Sequence, residues 1–209
     1  HVGMDSKERY NEAIAPTQAN NVIQDLTFVL ILKEYDQPVA ISKPEGYDPT
    51  LFYCATANKK CKDSVSTNRI LWAKDKMITY GKLPNKKYMI NWPINGNDFY
   101  TNTIEKPPEE RDIIYEKAKL KSLQFLYYLQ TELGFKNFGI ATNEFPTEDG
   151  FPIIPYHRES RRIVGEVTLT LNHIAKPYDQ PSPLYRTAIA VGDYPLDHHH
   201  AAHPKASEL

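Results

Sequence analysis

PEERDIIYEKAKLKSLQFLYYLQTEL, residues 108–133, decides the fold class of this chain. Pro107 and Pro108 stand where a helix can start, because the N–H groups of a first turn have no intrahelical partner and a missing one costs nothing. Glu109, Glu110 and Asp112 then suit the positive end of the helix dipole. Ile114, Ala118, Leu123, Leu126, Tyr127, Leu129 and Leu133 approximate one broad apolar face, which predicts packing on one side. Gly134 is a ready C-terminal cap. At about 1.5 Å per residue such a helix runs roughly 39 Å and crosses a whole domain. Its Leu-Phe-Leu-Tyr-Tyr-Leu pattern reads as core packing rather than a cofactor box.

Working outward, four stretches read as strands. Residues 24–32 (QDLTFVLIL) alternate and then become continuously apolar, as in a strand covered on both faces. Residues 88–92 (YMINW) follow a turn at residues 83–86. Residues 163–171 (IVGEVTLTL) alternate clearly, with Ile163, Gly165, Val167, Leu169 and Leu171 on one face and Val164, Glu166, Thr168 and Thr170 on the other. Residues 185–191 (YRTAIAV) make the fourth. Weaker patterns suggest a short helix at 17–23, short strands at 39–41 and 137–141, a strand within 70–80, and a surface loop over 42–68. The economical fold class is α+β: a mainly antiparallel sheet with one long packed helix.

Composition narrows the function. A chain of 209 residues suits one domain that buries about 70% of its unfolded surface. Twenty-five basic residues against 26 acidic ones leave a net charge of -1, which predicts no nucleic-acid partner. No apolar run reaches the about 18 residues of a transmembrane segment. HVGMDSKERY is not a signal peptide, and a start at His1 rather than Met predicts a processed or excised piece. The compartment is not readable from these features. Cys54 and Cys61, with six residues between them, are too few for a disulfide framework or a metal site but permit one disulfide across a turn.

Three groups of residues carry candidate chemistry. Residues 150–203 hold six of the seven histidines. Within them Asp197, His198, His199 and His200, with His203 nearby, are the first metal suspect, yet the spacing matches known ligand sets loosely and predicts no high-affinity metal site. Arg158, Arg161 and Arg162 surround Glu159. They suit either a bidentate clamp on a phosphate or carboxylate, or an arginine–glutamate lattice bracing a loop to the sheet. In residues 91–102 (NWPINGNDFYTN), Asn91, Trp92, Asn95, Asn97, Asp98 and Tyr100 offer amides beside flat apolar rings, as a pocket would. A solvent-facing Asn-Gly turn gives the same pattern. No nucleophile elbow, P-loop or GxGxxG occurs, and the chain has only nine glycines, so a self-contained nucleotide site is not expected.

Several longer motifs carry a family resemblance: KYMINWPINGND (87–98), QTELG (130–134), EFPTEDGFPIIPYHRESRRIVG (144–165), LTLNHI (169–174) and LYRTAIAVGDYPLDHHH (184–200). With them the chain resembles the bacterial FAD-dependent oxidoreductases whose FAD domain is similar to that of glutathione reductase. The resemblance implies that residues 1–209 are a single substrate/cap-domain-like region, excised from a longer flavoprotein whose glycine-rich fingerprint lies outside it. It implies FAD in the full-length protein and none on this piece. The partners implied are the missing FAD-binding domain of the same polypeptide and a small polar, sugar-like substrate oxidised by hydride transfer to flavin. On this reading Arg161, Asp193 and Tyr194 approach the cofactor. Arg158, Asn91, Trp92, Asn95 and Tyr100 hold the substrate, and Arg162 with His198 or His200 is catalytic, the imidazole taking a proton. The competing readings are a non-catalytic carbohydrate-binding module and a structural domain.

Overall fold

The structure, a computed structural model, describes residues 2–62, 71–93, 95–180 and Gly192. Its elements are helix α1 (Lys7–Tyr10), strands β1 (Leu26–Thr27) and β2 (Leu30–Glu34), a 3-10 turn (Pro49–Phe52) and helix α2 (Lys74–Tyr80). Then come β3 (Lys82–Leu83), β4 (Lys87–Ile90), β5 (Asp98–Phe99), helix α3 (Pro108–Thr131), β6 (Phe138–Ile140), β7 (Tyr156–His157), helix α4 (Leu171–Ala175) and a 3-10 turn (Pro177–Asp179). The fold class is the expected α+β, with one long helix and two sheets in which every pairing is antiparallel. The chain forms two compact units, one of residues 25–158 and one of residues 1–24 with 159–209.

In the unit of residues 25–158 the larger sheet runs β3-β4-β2-β6 and the smaller β5-β1-β7. The expected strand at 24–32 is therefore two strands, one in each sheet. The break has a local cause. The Phe28 carbonyl accepts from Ser122 Oγ at 2.7 Å and from Asn97 Nδ2 at 3.2 Å, so side chains take the place of a ladder partner there. Leu30, Ile31 and Leu32 of β2 are buried, and Leu32 faces Tyr88 on one side and Ile140 on the other. Residues 137–141 hold the expected short strand as β6. Gly81 lies so close to β4 that a Cβ would sit 1.9 Å from the Met89 carbonyl oxygen, which excludes any other residue.

Helix α3 ends within two residues of its expected bound, and Ala118, Leu126, Leu129 and Leu133 of its expected face are buried, though that face is centred differently. Phe125 and Tyr128 are fully buried, whereas Leu123 and Tyr127 are only partly so. Ser122, Gln124 and Gln130 also lie inside, because segments without a ladder need partners for their backbone groups. Gln124 Nε2 donates to the Glu45 carbonyl at 2.7 Å. Gln130 donates to the Phe138 carbonyl at 2.8 Å and accepts from Ile41 N at 3.1 Å. Residues 39–41 are thus held by a side chain and form no strand.

The region expected as surface loop contributes to the core. Phe52 is fully buried, with ring centroids 5.5 Å from Phe125 and 5.4 Å from Tyr128. The Asp48 carboxylate caps its 3-10 turn by accepting from Thr50 N at 2.9 Å and Thr50 Oγ1 at 2.7 Å. A disulfide joins Cys54 and Cys61 just after it. The strand expected within 70–80 is helix α2, which buries Met77 and Ile78 while Lys74, Asp75 and Lys76 stay in solvent. That grouping is one helical turn, which the β-branched residues of the stretch concealed.

Lys121 of α3 carries a cost at neutral pH. Its ammonium lies 4.2 Å from the centroid of the Phe52 ring, and burial lowers its pKa to about 8 against a weaker opposing pull from Asp48. Below that pH the amine is charged in both folded and unfolded chains and the full burial cost is present. As pH rises from there through the unfolded value of about 10.4, the folded state sheds its proton first and the cost disappears. Lys121→Met should therefore stabilise the chain near neutral pH by roughly 1–3 kcal/mol, with the advantage gone above about pH 11. Urea denaturation of both proteins at the two pH values checks this, and a constant difference would contradict it.

In the other unit, residues 17–23 are not helical, and α1 at Lys7–Tyr10 is the helix of the N-terminal stretch. Residues 163–170, the clearest strand pattern of the sequence, are not a strand, and Leu171 opens α4. Alternation specifies which side chains would share a face, but a strand also needs a ladder partner, and none lies beside this segment among the described residues. The strand expected at 185–191 lies outside the described residues. No helix among the described residues is long and apolar enough to cross a membrane.

Candidate functional site

The unit of residues 25–158 closes on a buried guanidinium. Arg158 follows β7, whose Tyr156 pairs with Thr27 of β1, which in turn pairs with Asp98 of β5. This register brings Asp98 and Thr27 under the arginine. Arg158 Nη2 donates to Asp98 Oδ1 at 3.0 Å and Asn91 Oδ1 at 3.2 Å. Its Nη1 donates to the Asp25 carbonyl at 2.8 Å and Thr27 Oγ1 at 3.1 Å. Thr27 Oγ1 donates in turn to the same Asp98 oxygen. The Arg158 and Asp98 side chains are 6% and 5% exposed. Four N–H groups of the two terminal nitrogens thus point at internal acceptors, so the guanidinium braces the sheet end and fixes the Asn91 amide.

Asn91 begins the loop that carries the chain from β4 to β5, and this loop holds the amides and rings singled out in the sequence. Asn97, fully buried at its base, donates to the carbonyls of Ile90 at 3.1 Å and Phe28 at 3.2 Å and accepts from Trp92 N at 2.8 Å. Gly96 is required, since a Cβ would fall 2.3 Å from the Trp92 carbonyl oxygen. Asn95 takes the left-handed conformation at φ 57 and donates to the Leu51 carbonyl at 3.3 Å. Trp92 donates its indole N–H to the Ala55 carbonyl at 2.7 Å, which fixes the ring. Its centroid lies 5.6 Å from Trp72 and 6.1 Å from Tyr80, and Tyr80 is 64% exposed. Tyr100, just past β5, is also exposed.

Sequence reasoning named Asn91, Trp92, Asn95 and Tyr100 but missed Trp72 and Tyr80, which join Trp92 only through the fold. It also missed Tyr115 and His157. The Tyr115 hydroxyl lies 3.3 Å from His157 Nε2; His157 is exposed as a residue, and partial desolvation of its ring followed by the nearby Arg111 charge lowers the imidazole pKa. Period-two alternation could have placed Thr27 opposite Phe28; nothing in the sequence placed it beside Arg158.

The remaining candidates belong to the other unit. Arg162 donates to the Gly3 carbonyl and lies 3.5 Å from Asp5 Oδ2. Arg161 is exposed, and burial raises the Glu159 pKa. His173 is absorbed locally, its Nδ1 accepting from Thr170 N at 3.1 Å at the start of α4. The five-residue arginine run is thus divided, with Arg158 in one unit and Arg161 and Arg162 in the other. Asp193, Tyr194, His198 and His200 lie outside the described residues. Among the described residues no group of His, Cys, Asp and Glu is placed to hold a metal ion.

These features define an α+β protein with antiparallel sheets and a polar, aromatic-lined loop. The chain belongs to the FAD dependent oxidoreductase family, whose sequence profile matches residues 1–208. No curated protein and no solved structure matches it.

FAD is the cofactor this family implies, and the described residues do not build a cradle for its pyrophosphate. Such a cradle needs a glycine turn between a parallel strand and a helix whose N–H groups face the phosphates. All strand pairings here are antiparallel. The long helix starts at Pro107 and Pro108, which lack N–H groups, and places Glu109 and Glu110 where a phosphate would sit. Gly81 and Gly96 back onto the chain's own carbonyls rather than onto open space.

Proposed function

We propose that this chain is a single substrate-binding, cap-like domain over residues 1–209 of an FAD-dependent oxidoreductase. The missing FAD-binding domain of the same polypeptide holds the cofactor. What supports this is the match over residues 1–208 to a flavin-enzyme family by a chain whose described residues build no strand–glycine turn–helix cradle for a pyrophosphate. The family's flavin supplies the hydride-accepting chemistry; this chain supplies the substrate's surroundings. Asn91 and Asn95 offer amides, and Trp92 and Tyr100 offer rings, for a polar, sugar-like substrate with hydroxyls on its edge and C–H groups on its face. Arg158 serves this set by holding Asn91. Arg162 orients the substrate or balances charge, and His198 or His200 receives the proton released on oxidation. Arg161, Asp193 and Tyr194 are assigned on this reading to cofactor contact.

A non-catalytic carbohydrate-binding module is the second reading, favoured by the Trp72, Tyr80 and Trp92 ring cluster. Stopped-flow reduction of the complete gene product by sugars and polyols separates the two. Reduction of the flavin, slowed by about 100-fold or more in His198→Ala or His200→Ala, is the expected result. Normal rates in both variants would remove these histidines from the chemistry, and saturable sugar binding without any reduction would favour the binding module.

A further inference from the structure

The Cys54–Cys61 disulfide closes a short loop whose two sulfurs differ in setting. Cys54 is 6% exposed and is followed by buried Ala55 and Thr56, whereas Cys61 is half-exposed. Lys59, Lys60 and Lys62 flank Cys61 and are all exposed, so positive charge gathers at the accessible sulfur. The loop between the cysteines holds both tryptophans. The Ala55 carbonyl accepts the Trp92 indole N–H at 2.7 Å, and Ala57 N donates to the Trp72 carbonyl at 2.8 Å. Asn58 Nδ2 donates to the Tyr128 hydroxyl at 3.2 Å, and Lys60 pairs with Glu132 at 3.0 Å. Single neutral hydrogen bonds and exposed ion pairs are individually weak, so the covalent bond is the strongest restraint on this loop.

We propose that Cys54–Cys61 is a thiol–disulfide exchange site for a dithiol reductant, and that opening it releases the Trp92 ring. A thiolate of the reductant attacks Cys61 Sγ, the accessible sulfur, and the protein S–S bond breaks. Cys54 leaves as a thiolate, takes a proton and stays in the core as a small apolar thiol. The second thiol of the reductant, as its thiolate, then attacks the mixed disulfide, closes the reductant's own disulfide and frees Cys61. Two electrons pass from the dithiol to the protein. The flanking lysines favour both the approach of a thiolate and the charge left on Cys61. With a sequence separation of 7, the disulfide restrains the unfolded chain little, and the apolar cluster on α3 contains neither cysteine. Opening the bond therefore loosens residues 55–61 and leaves the α3 core in place. The Ala55 carbonyl that fixes the Trp92 indole is the first acceptor of that loosened stretch.

Reduction of the folded protein by dithiothreitol tests this, read by thiol titration, far-UV circular dichroism and tryptophan emission. Trp72 and Trp92 are the only tryptophans of the chain, so the emission reports this cluster alone. Two thiols should appear without denaturant and with the helical signal retained. The emission should shift to longer wavelength and become about twofold more quenchable by acrylamide. Cys61 in Cys54→Ala should react with an aromatic disulfide reagent about tenfold or more faster than Cys54 in Cys61→Ala. Reduction should also weaken sugar binding about tenfold through the loss of one fixed ring, and this arm alone rests on the function proposed above. Thiols that appear only when urea unfolds the chain overturn the exchange site and make the disulfide a staple. Thiols without a change in tryptophan quenching overturn the release of Trp92, and equal reactivity of the two cysteines overturns the attack on Cys61. Changed quenching with unchanged sugar affinity overturns the substrate role of Trp92 and leaves the exchange site standing.

Discussion

Arg158→Ala should destabilise the chain by about 3–5 kcal/mol, the cost of leaving one partner of a buried ion pair uncompensated. Asp98 is as buried as the arginine, and water cannot replace the lost guanidinium without opening the junction of β1, β5 and β7. Arg158→Lys should recover little, since an ammonium cannot reach Asp98, Asn91, Thr27 and the Asp25 carbonyl together. Arg158→Met combined with Asp98→Leu should be less damaging than Arg158→Ala, because removing both charges removes the penalty. Urea denaturation reads all three. Were Arg158 a solvent-facing ligand for substrate, stability would hold and only ligand affinity would fall, by roughly 1.5–3 kcal/mol.

The second large effect lies in the core. Leu126 is fully buried on α3 within the cluster that includes Phe125, Leu129 and Phe52. Leu126→Ala should cost about 2–4 kcal/mol, combining lost transfer energy with a cavity that close-packed rings cannot refill. A denaturation shift below about 0.5 kcal/mol would place the side chain outside the core.

The difference between these two sites shows what the sequence made legible. Helix α3 could be read because its signals are local: paired prolines, early acids and a repeating apolar face. The strand at residues 87–90 was equally legible beside its turn, where Asn85 and Lys86 adopt positive φ. Phe52 was hidden because Tyr47, Phe52 and Tyr53, set among prolines and followed by lysines, show no regular period, and its burial depends on rings contributed by α3. Arg158 showed the reverse difficulty. Its composition left both a ligand clamp and an internal brace open, and only strand register brings Thr27 and Asp98 to it. Residues 163–169 show that alternation encodes a face but not the neighbour that would complete the ladder.

The visible absorbance spectrum is the most direct test of the flavin reading. The 209-residue chain, purified alone and then mixed with FAD, should remain free of bound flavin bands, whereas the complete gene product should carry them as isolated. Stoichiometric flavin on the 209-residue chain would contradict the assignment of the cofactor to a separate domain. A colourless complete product that also fails to bind added FAD would contradict the oxidoreductase function itself.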